Sequence, residues 1–191
     1  LFGPAGEGEE PEKVLQEEGI RQLARQAARR SVLIARDREG SIPVTGEKIL
    51  VIEQKVKEYN DIQWHSGILF EACQGYRTDI HYLETSYSYD DTDKSQITQA
   101  LTEYDTVIAT NYFLRGKAKN REFWEEQISL HPEVKIIIVS NTPYEQLSIP
   151  GNAGNVLLTF ATSPENIRAA AAVLFGEMEP EGVWPLKEML M

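Results

Sequence analysis

Short apolar runs alternate along the chain with longer segments whose apolar residues recur at helical spacing. The five clearest runs follow one another at intervals of roughly 20 to 30 residues, which is the spacing of β-α units. Each run is apolar along most of its length, as is typical of parallel strands covered on both faces. The predicted strands are residues 48–53, 78–84, 105–110, 134–140 and 155–161, with a further extended segment at residues 31–36.

The segments between these strands carry apolar residues three and four positions apart, which predicts helices. The last helix has the most complete end signals, because Ser163 suits an N-cap, Pro164 suits the first helical position and Gly176 suits the C-terminal end. The other helices predicted between strands are residues 61–74, 93–104 and 118–130.

A further helix is predicted ahead of the strands, at residues 11–30. Arg21, Arg25 and Arg29 form one stripe of this helix. The stripe has two interpretations, a solvated helix face or a surface that docks on an acidic neighbouring domain. The opposite, apolar face is predicted to contain Ile20, Leu23, Ala24, Ala27 and Ala28.

Helical crossovers between parallel strands predict a sheet with helices on both faces. The expected fold class is therefore α/β, a flavodoxin-like three-layer sandwich of about five mostly parallel strands, with an additional N-terminal helix and strand. Residues 1–17 are predicted to be a linker or frayed N-terminus, since the first ten are rich in Gly and Glu. Residues 18–191 are predicted to form one domain.

The composition, with 41% hydrophobic and 26% charged residues among 191, is that of an ordinary globular domain. The net charge of -11 argues against nucleic acid and anionic membranes as partners. Cys73 is the single cysteine, so no intrachain disulfide is expected, and the compartment stays open between the cytoplasm and secretion. The chain starts at Leu1 without an initiator Met, which predicts a truncated N-terminus.

Ligands of doubly wound sheets bind beyond the carboxyl ends of the strands, so these positions are the candidate site. No glycine-rich turn follows the first strand and no Walker-type loop occurs, so no nucleotide cofactor is expected. The histidines His65, His81 and His131 lie apart from one another without partners at ligand spacing, so no metal is expected either. The strand-end residues are Glu53, Glu84, Asn111, Asn141 and Thr162.

Two stretches carry candidate chemistry. Trp64 next to His65 places an aromatic ring beside a titratable group, which suits sugar stacking, and the alternative is a packed Trp and a satisfied His. Glu84 ends a predicted strand and precedes several Tyr and Asp residues. Its carboxylate suits a sugar or a cation, and the alternative is an ordinary polar loop ahead of a capped helix.

Several segments at the two ends of the chain resemble, in order and spacing, the C-terminal α/β sandwich domain of family 3 glycoside hydrolases. At the front these are LARQAARRSV at residues 23–32, IPV at 42–44 and KILVI at 48–52. At the back they are IIIVSNTPYEQL at 136–147, LFGE at 174–177 and PEGVWPL at 180–186. The resemblance extends from Glu18 to Leu186 and is weakest in the middle third.

This resemblance implies that a catalytic (β/α)8 barrel precedes the domain as its partner in the same protein, with the carbohydrate substrate at the interface and no cofactor. The isolated chain is then expected to be inactive. Residues 111–120 lack the acid/base Glu and the Gly-Asp-Arg step of the β-glucosidase branch, which favours the β-N-acetylhexosaminidase branch of a bacterial hydrolase. The substrate-rim candidates are Trp64, His65, Asn111 and Tyr112.

Two alternatives stay open. One is a β-glucosidase-type domain that supplies an acid/base carboxylate to the barrel, for which Glu84 is a weak candidate. The other is a free-standing flavodoxin-like domain that binds a ligand or a protein and has no barrel partner.

Overall fold

The computed structural model describes residues 18–57, 64–113 and 120–183. The predicted linker at residues 1–17, and with it the first part of the predicted N-terminal helix, lies outside these ranges. In chain order the described elements are α1 (Glu18–Ser31), β1 (Leu33–Asp37), β2 (Ile49–Gln54), β3 (Val56–Lys57), β4 (Trp64–His65), α2 (Ile68–Gln74), β5 (Ile80–Thr85), α3 (Asp91–Ala100), β6 (Thr106–Thr110), α4 (Arg121–Leu130), β7 (Lys135–Ser140), β8 (Asn155–Leu158) and α5 (Pro164–Leu174).

Six of the strands form one mixed sheet in the order β1-β8-β7-β6-β2-β5. The five strands from β5 to β8 in this order are parallel, and β2, the first of them in the chain, lies between β5 and β6. This is the strand order of flavodoxin-like folds. At the other edge β1 pairs antiparallel with β8, with Leu33 opposite Leu158. The predicted α/β class, the mostly parallel sheet and the additional N-terminal helix and strand are confirmed.

The helices cover both faces of the sheet, because successive side chains of each central strand point to opposite sides. Ile49 and Val51 of β2 pack in the core beneath α1, α2 and α5, whose buried residues include Leu69 and Ile167. Leu50 and Ile52 pack on the other side with α3 and α4, where Trp124 is fully buried. Helix α5 lies between α1 and α2 in its layer and packs on both.

The start of two helices is set by hydrogen bonds between nearby side chains and the backbone. Ser163 Oγ accepts the backbone N–H of Asn166 at the start of α5, and Pro164 is its first residue, so the predicted start of this helix is confirmed. Helix α3 begins at Asp91 rather than at the predicted residue 93. The reason is that Asp90 accepts the backbone N–H of Asp93 and Asp93 accepts that of Asp90, which forms a capping box.

The helix predicted at residues 61–74 was placed too early. Helix α2 begins at Ile68, after a short hairpin in which Trp64 pairs with Lys57 and His65 with Val56. Gly67 then turns the chain with φ 86°, a conformation that favours glycine. Trp64 and His65 therefore lie on a strand, and residues 61–63 lie outside the described ranges.

The prediction for the apolar face of the N-terminal helix placed more residues in the core than the structure buries. Ala28 is 3% exposed, but Leu23 is 66% exposed, and Ala24 and Ala27 are exposed as well. The helical spacing identified an apolar face, and the described part of the domain buries only Ala28 and part of Ile20 on it. Within the described ranges no helix combines the length and the apolar character that a membrane span requires.

Candidate functional site

The candidate site lies where the chain connections diverge at the carboxyl ends of β2 and β6. Strand β2 leads through α2 to its neighbour β5 on one side, whereas β6 leads through α4 to β7 on the other side. Such a topological switch point is where doubly wound folds bind their ligands. The residues that follow β2 and β6 are therefore the ones whose contacts decide whether this crevice can receive a ligand.

Polar side chains of the protein itself form hydrogen bonds between the described loops at this crevice. Gln54, the last residue of β2, is fully buried, and its Nε2 donates to the backbone oxygen of Tyr87 at 2.6 Å. Its Oε1 accepts the backbone N–H of Tyr112 at 2.6 Å. One planar amide thus joins the loop after β5 to the loop after β6 across the end of the central strand. The backbone oxygen of Tyr87 and the backbone N–H of Tyr112 are thereby paired within the domain.

Asn120 adds a second connection between the same two loops. Its Nδ2 donates to the oxygen of Tyr87 at 2.9 Å, and its Oδ1 accepts the backbone N–H of Tyr89 at 3.0 Å. The hydroxyl of Tyr87 in turn donates to the backbone oxygen of Tyr112 at 2.8 Å. We call Gln54, Tyr87, Tyr112 and Asn120 the crevice cluster. All four are buried.

Glu53 occupies the position next to the crevice at the start of α2. Its carboxylate is 4% exposed and accepts the backbone N–H groups of Leu69 at 3.0 Å and Phe70 at 3.2 Å. Burial raises the pKa of Glu53, although these backbone hydrogen bonds act in the opposite direction. Helix N-termini at this point of α/β folds commonly receive a phosphate. Here the protein places its own carboxylate there.

Glu84 lies at the end of β5 and is partly exposed. Lys55 Nζ is 2.6 Å from its Oε1, and Ser66 Oγ donates to its Oε2. The hydrogen bond from Lys55 is the main cause that lowers the pKa of Glu84, and Ser66 contributes in the same direction. A carboxylate with a lowered pKa is ionised at neutral pH and is a poor proton donor.

The structure separates the four substrate-rim candidates into two pairs. Asn111 and Tyr112 follow β6 and are 3% and 2% exposed, and Asn111 Nδ2 donates to the oxygen of Ser148 at 2.6 Å. Their burial counts against direct contact with a substrate. Trp64 and His65 lie on β4, at the hairpin that follows β2. The side chains of this second pair are outside what the structure describes, and their role stays a prediction.

The Tyr112 hydroxyl group has no hydrogen-bond partner among the described residues, although it is buried. Burial raises the pKa of this hydroxyl well above its ordinary value, and the neighbouring charge of Glu53 acts in the same direction. Cys73 is also fully buried near Glu53, and burial raises the pKa of its thiol. Neither group is suited to act as a nucleophile. In the described part of the chain, no three His, Cys, Asp or Glu side chains are grouped to hold a metal ion.

Sequence reasoning did not predict the hydrogen bonds of Gln54 and Asn120, which join the loops after β5 and β6. A polar residue directly after an apolar strand was a usable signal for Gln54. Asn141, which was identified as a strand-end residue, exchanges two hydrogen bonds with the backbone of Phe113, at 2.8 and 3.1 Å. It too holds loops together.

The sequence of the chain was compared with protein-family models and with curated proteins. No protein-family model matches it. No curated protein matches it either.

Comparison of the structure with solved structures gives strong matches. A family 3 glycoside hydrolase β-N-acetylglucosaminidase from Paenibacillus sp. str. FPU-7 superimposes with a TM-score of 0.77 at 16% identity, over 95% of this chain and 35% of its own. A fungal multi-domain family 3 β-N-acetylglucosaminidase gives 0.62 at 17% identity, over 93% and 20%. A β-glucosidase from Listeria innocua gives 0.66 at 14% identity, over 92% and 28%.

The chain therefore spans about a third or less of the length of these enzymes, while they match nearly all of it. At such low identity the match establishes the fold and not the activity. The chain has the fold of one part of the family 3 glycoside hydrolases.

Proposed function

We propose that this chain, from residue 18 onward, is the non-catalytic C-terminal domain of a family 3 glycoside hydrolase. In this proposal a (β/α)8 barrel in the same polypeptide carries the catalytic groups, and the domain packs on it. The observation that carries the proposal is the crevice cluster. Among the described residues, Gln54 and Asn120 bind together the loops where this fold receives ligands, as expected of a domain that serves as a scaffold.

The fraction of each chain that the structural match covers supports a partner domain in the same polypeptide. The Paenibacillus enzyme matches 95% of this chain with 35% of its own length. The remainder of such an enzyme is large enough to contain a second, larger domain.

The two strand-end carboxylates support the absence of catalysis in this domain. A general acid for glycoside hydrolysis needs a raised pKa and access to the glycosidic oxygen. Glu53 has a raised pKa but is buried and bound to the backbone of α2, whereas Glu84 is accessible but has a lowered pKa. Neither residue combines the two properties.

The proposed type is a bacterial β-N-acetylhexosaminidase. The β-N-acetylglucosaminidase from Paenibacillus gives a TM-score of 0.77, against 0.66 for the β-glucosidase from Listeria innocua. The absence of an acid/base Glu at residues 111–120 favours the same branch. In this account the carbohydrate lies at the interface with the barrel, and the β3–β4 hairpin with Trp64 and His65 is the part of the domain nearest to it.

The alternative, a β-glucosidase-type domain that contributes Glu84, has one observation in its favour. The carboxylate of Glu84 is partly exposed at the strand-end edge of the sheet, where a neighbouring domain can reach it. Its ion pair with Lys55 would then have to open before the carboxyl group could receive a proton.

Turnover of nitrophenyl glycosides tests the proposal. We expect the full-length enzyme to hydrolyse nitrophenyl N-acetylglucosaminide in preference to the glucoside, and the purified 191-residue chain to hydrolyse neither. A preference for the glucoside would support the β-glucosidase branch. Hydrolysis by the chain alone would contradict the proposal as a whole, provided that changing Glu84 abolishes it.

A further inference from the structure

Helix α1 presents an apolar stripe that the rest of the described domain leaves uncovered. Leu23 is 66% exposed, Ala24 and Ala27 are exposed, and Ile20 is only partly buried. These four residues lie on one face of the helix because they are three or four positions apart. A single exposed Leu is common, but an uncovered stripe at helical spacing indicates a contact surface.

Among the described residues, the buried and hydrogen-bonded anchor of the helix lies at its C-terminal end. Ala28 is buried against α5, and Ser31 Oγ accepts Nδ2 of Asn166 at 2.7 Å and donates to the oxygen of Ala28 at 2.8 Å. The apolar stripe lies on the turns that precede this anchor. The anchored end fixes the direction in which the stripe faces.

The arginine stripe of the same helix is a weaker candidate for a contact surface. Arg25 pairs with Glu18 at 3.3 Å, and Arg29 pairs with Glu181 at 3.9 Å. Both line a groove of about 360 Å³ next to α5, so they face their own domain. The carboxylates within the domain account for these charges, whereas the described residues leave the apolar stripe without a partner.

We propose that the apolar stripe of α1, formed by Ile20, Leu23, Ala24 and Ala27, is the surface on which the preceding domain of the same polypeptide packs. This inference rests on the proposed function, which places the barrel before this domain. The connection to the barrel then runs through the residues that precede Glu18, so the barrel is held near this helix at high effective concentration. The stripe begins at Ile20, two residues after Glu18, so it lies close to this connection.

Thiol labelling of cysteines introduced at two leucine positions of similar exposure tests this placement in the full-length protein. Leu23 on α1 and Leu130 on α4 are 66% and 61% exposed, and they belong to opposite helical layers. Leu23→Cys and Leu130→Cys are labelled separately with a maleimide, and each rate is divided by the rate for the same site in denaturant. Cys73 is fully buried and serves as an internal marker of folding.

We expect Leu23→Cys to react at least about tenfold more slowly than Leu130→Cys in the native full-length protein, because a packed interface reacts only when it opens. Equal rates would overturn the placement of the interface. Protection of Leu23→Cys that disappears on dilution would also overturn it, since the partner would then be a second copy of the protein.

Failure of this inference is distinguishable from failure of the proposed function. If the polypeptide contains no barrel ahead of this domain, the proposed function fails and the inference fails with it. If the barrel is present and hydrolyses the glycoside while both cysteines react equally fast, only the location of the interface is wrong. A Leu23→Asp variant with Leu130→Asp as its control adds a second measurement. Only Leu23→Asp should accelerate proteolysis between the two domains.

Discussion

The side-chain oxygen of Gln54 accepts the backbone N–H of Tyr112 at 2.6 Å, across the end of the central strand. This hydrogen bond joins two loops that separate at the switch point of the sheet. In a ligand-binding member of this fold class the crevice between such loops is open. Here the described residues of the two loops are buried and hydrogen-bonded to each other through Gln54 and Asn120.

Removal of the Gln54 amide should destabilise the domain. Gln54→Ala leaves the buried N–H of Tyr112 without its acceptor, whereas the oxygen of Tyr87 keeps the hydrogen bond from Asn120. We expect a loss of about 2–3 kcal/mol in the free energy of unfolding, measured by urea denaturation. The exposed Gln99→Ala on α3 is the control and should change the free energy by less than about 0.5 kcal/mol. Equal effects of the two substitutions would contradict the role of Gln54.

Glu53 should make the stability fall as pH rises. Its pKa in the folded protein is raised above the ordinary value of 4.5, so its contribution is fully present below that value and is lost as pH rises through the folded pKa. We expect the free energy of unfolding of the wild type, relative to Glu53→Gln, to decrease as pH rises above 4.5. Denaturation at a series of pH values measures this difference. An increase over the same range would refute the raised pKa.

The contribution of Glu84 to stability should change with pH in the opposite direction. Its pKa is lowered by Lys55 and Ser66, so its contribution is present above the ordinary value of 4.5 and is lost as pH falls through the folded pKa. The effect on stability should not exceed about 0.5 kcal/mol, because the pair with Lys55 is exposed and screened by salt. An NMR titration of the side-chain carboxyl carbons should give a midpoint below 4.5 for Glu84, and Lys55→Met should raise it. A midpoint that Lys55→Met leaves unchanged would exclude the ion pair as the cause.

The domain should be more stable with glycine than with alanine at position 160. Its φ of 57° lies in the left-handed region, which costs a residue with a Cβ atom about 1 kcal/mol and costs glycine little. We therefore expect Phe160→Gly to exceed Phe160→Ala in unfolding free energy by about 1 kcal/mol. Tyr144, a similarly exposed aromatic residue without a positive φ, provides the control pair. At this position Tyr144→Gly should be less stable than Tyr144→Ala. If the glycine variant were the more stable one at both positions, or the less stable one at both, the role of the positive φ would be contradicted.

The elements that the sequence predicted correctly are those with local signals. The apolar run of β2 and the cap at Ser163 are set by neighbouring residues, so spacing and residue type suffice to find them. The hairpin at Trp64 was missed because its pairing replaced a helical pattern that the same residues also fit.

The closing of the crevice was not predictable in this way. Gln54 bonds to residues 33 and 58 positions further along the chain, and no local pattern contains those partners. The same holds for α1, where periodicity identifies an apolar face but does not tell which surface covers it. The spacing of strands and helices predicted the fold, and the resemblance at the two ends of the chain pointed to a family. The hydrogen bonds of Gln54 and Asn120 became visible only in the structure.

The turnover number of the full-length enzyme with Glu84→Gln tests the central claim most directly. If this domain supplies no catalytic carboxylate, kcat for nitrophenyl N-acetylglucosaminide should stay within about twofold of the wild type, because general acid catalysis typically contributes a factor of 10² or more. A loss of about a hundredfold or more that azide restores would contradict the claim and assign the acid/base role to Glu84.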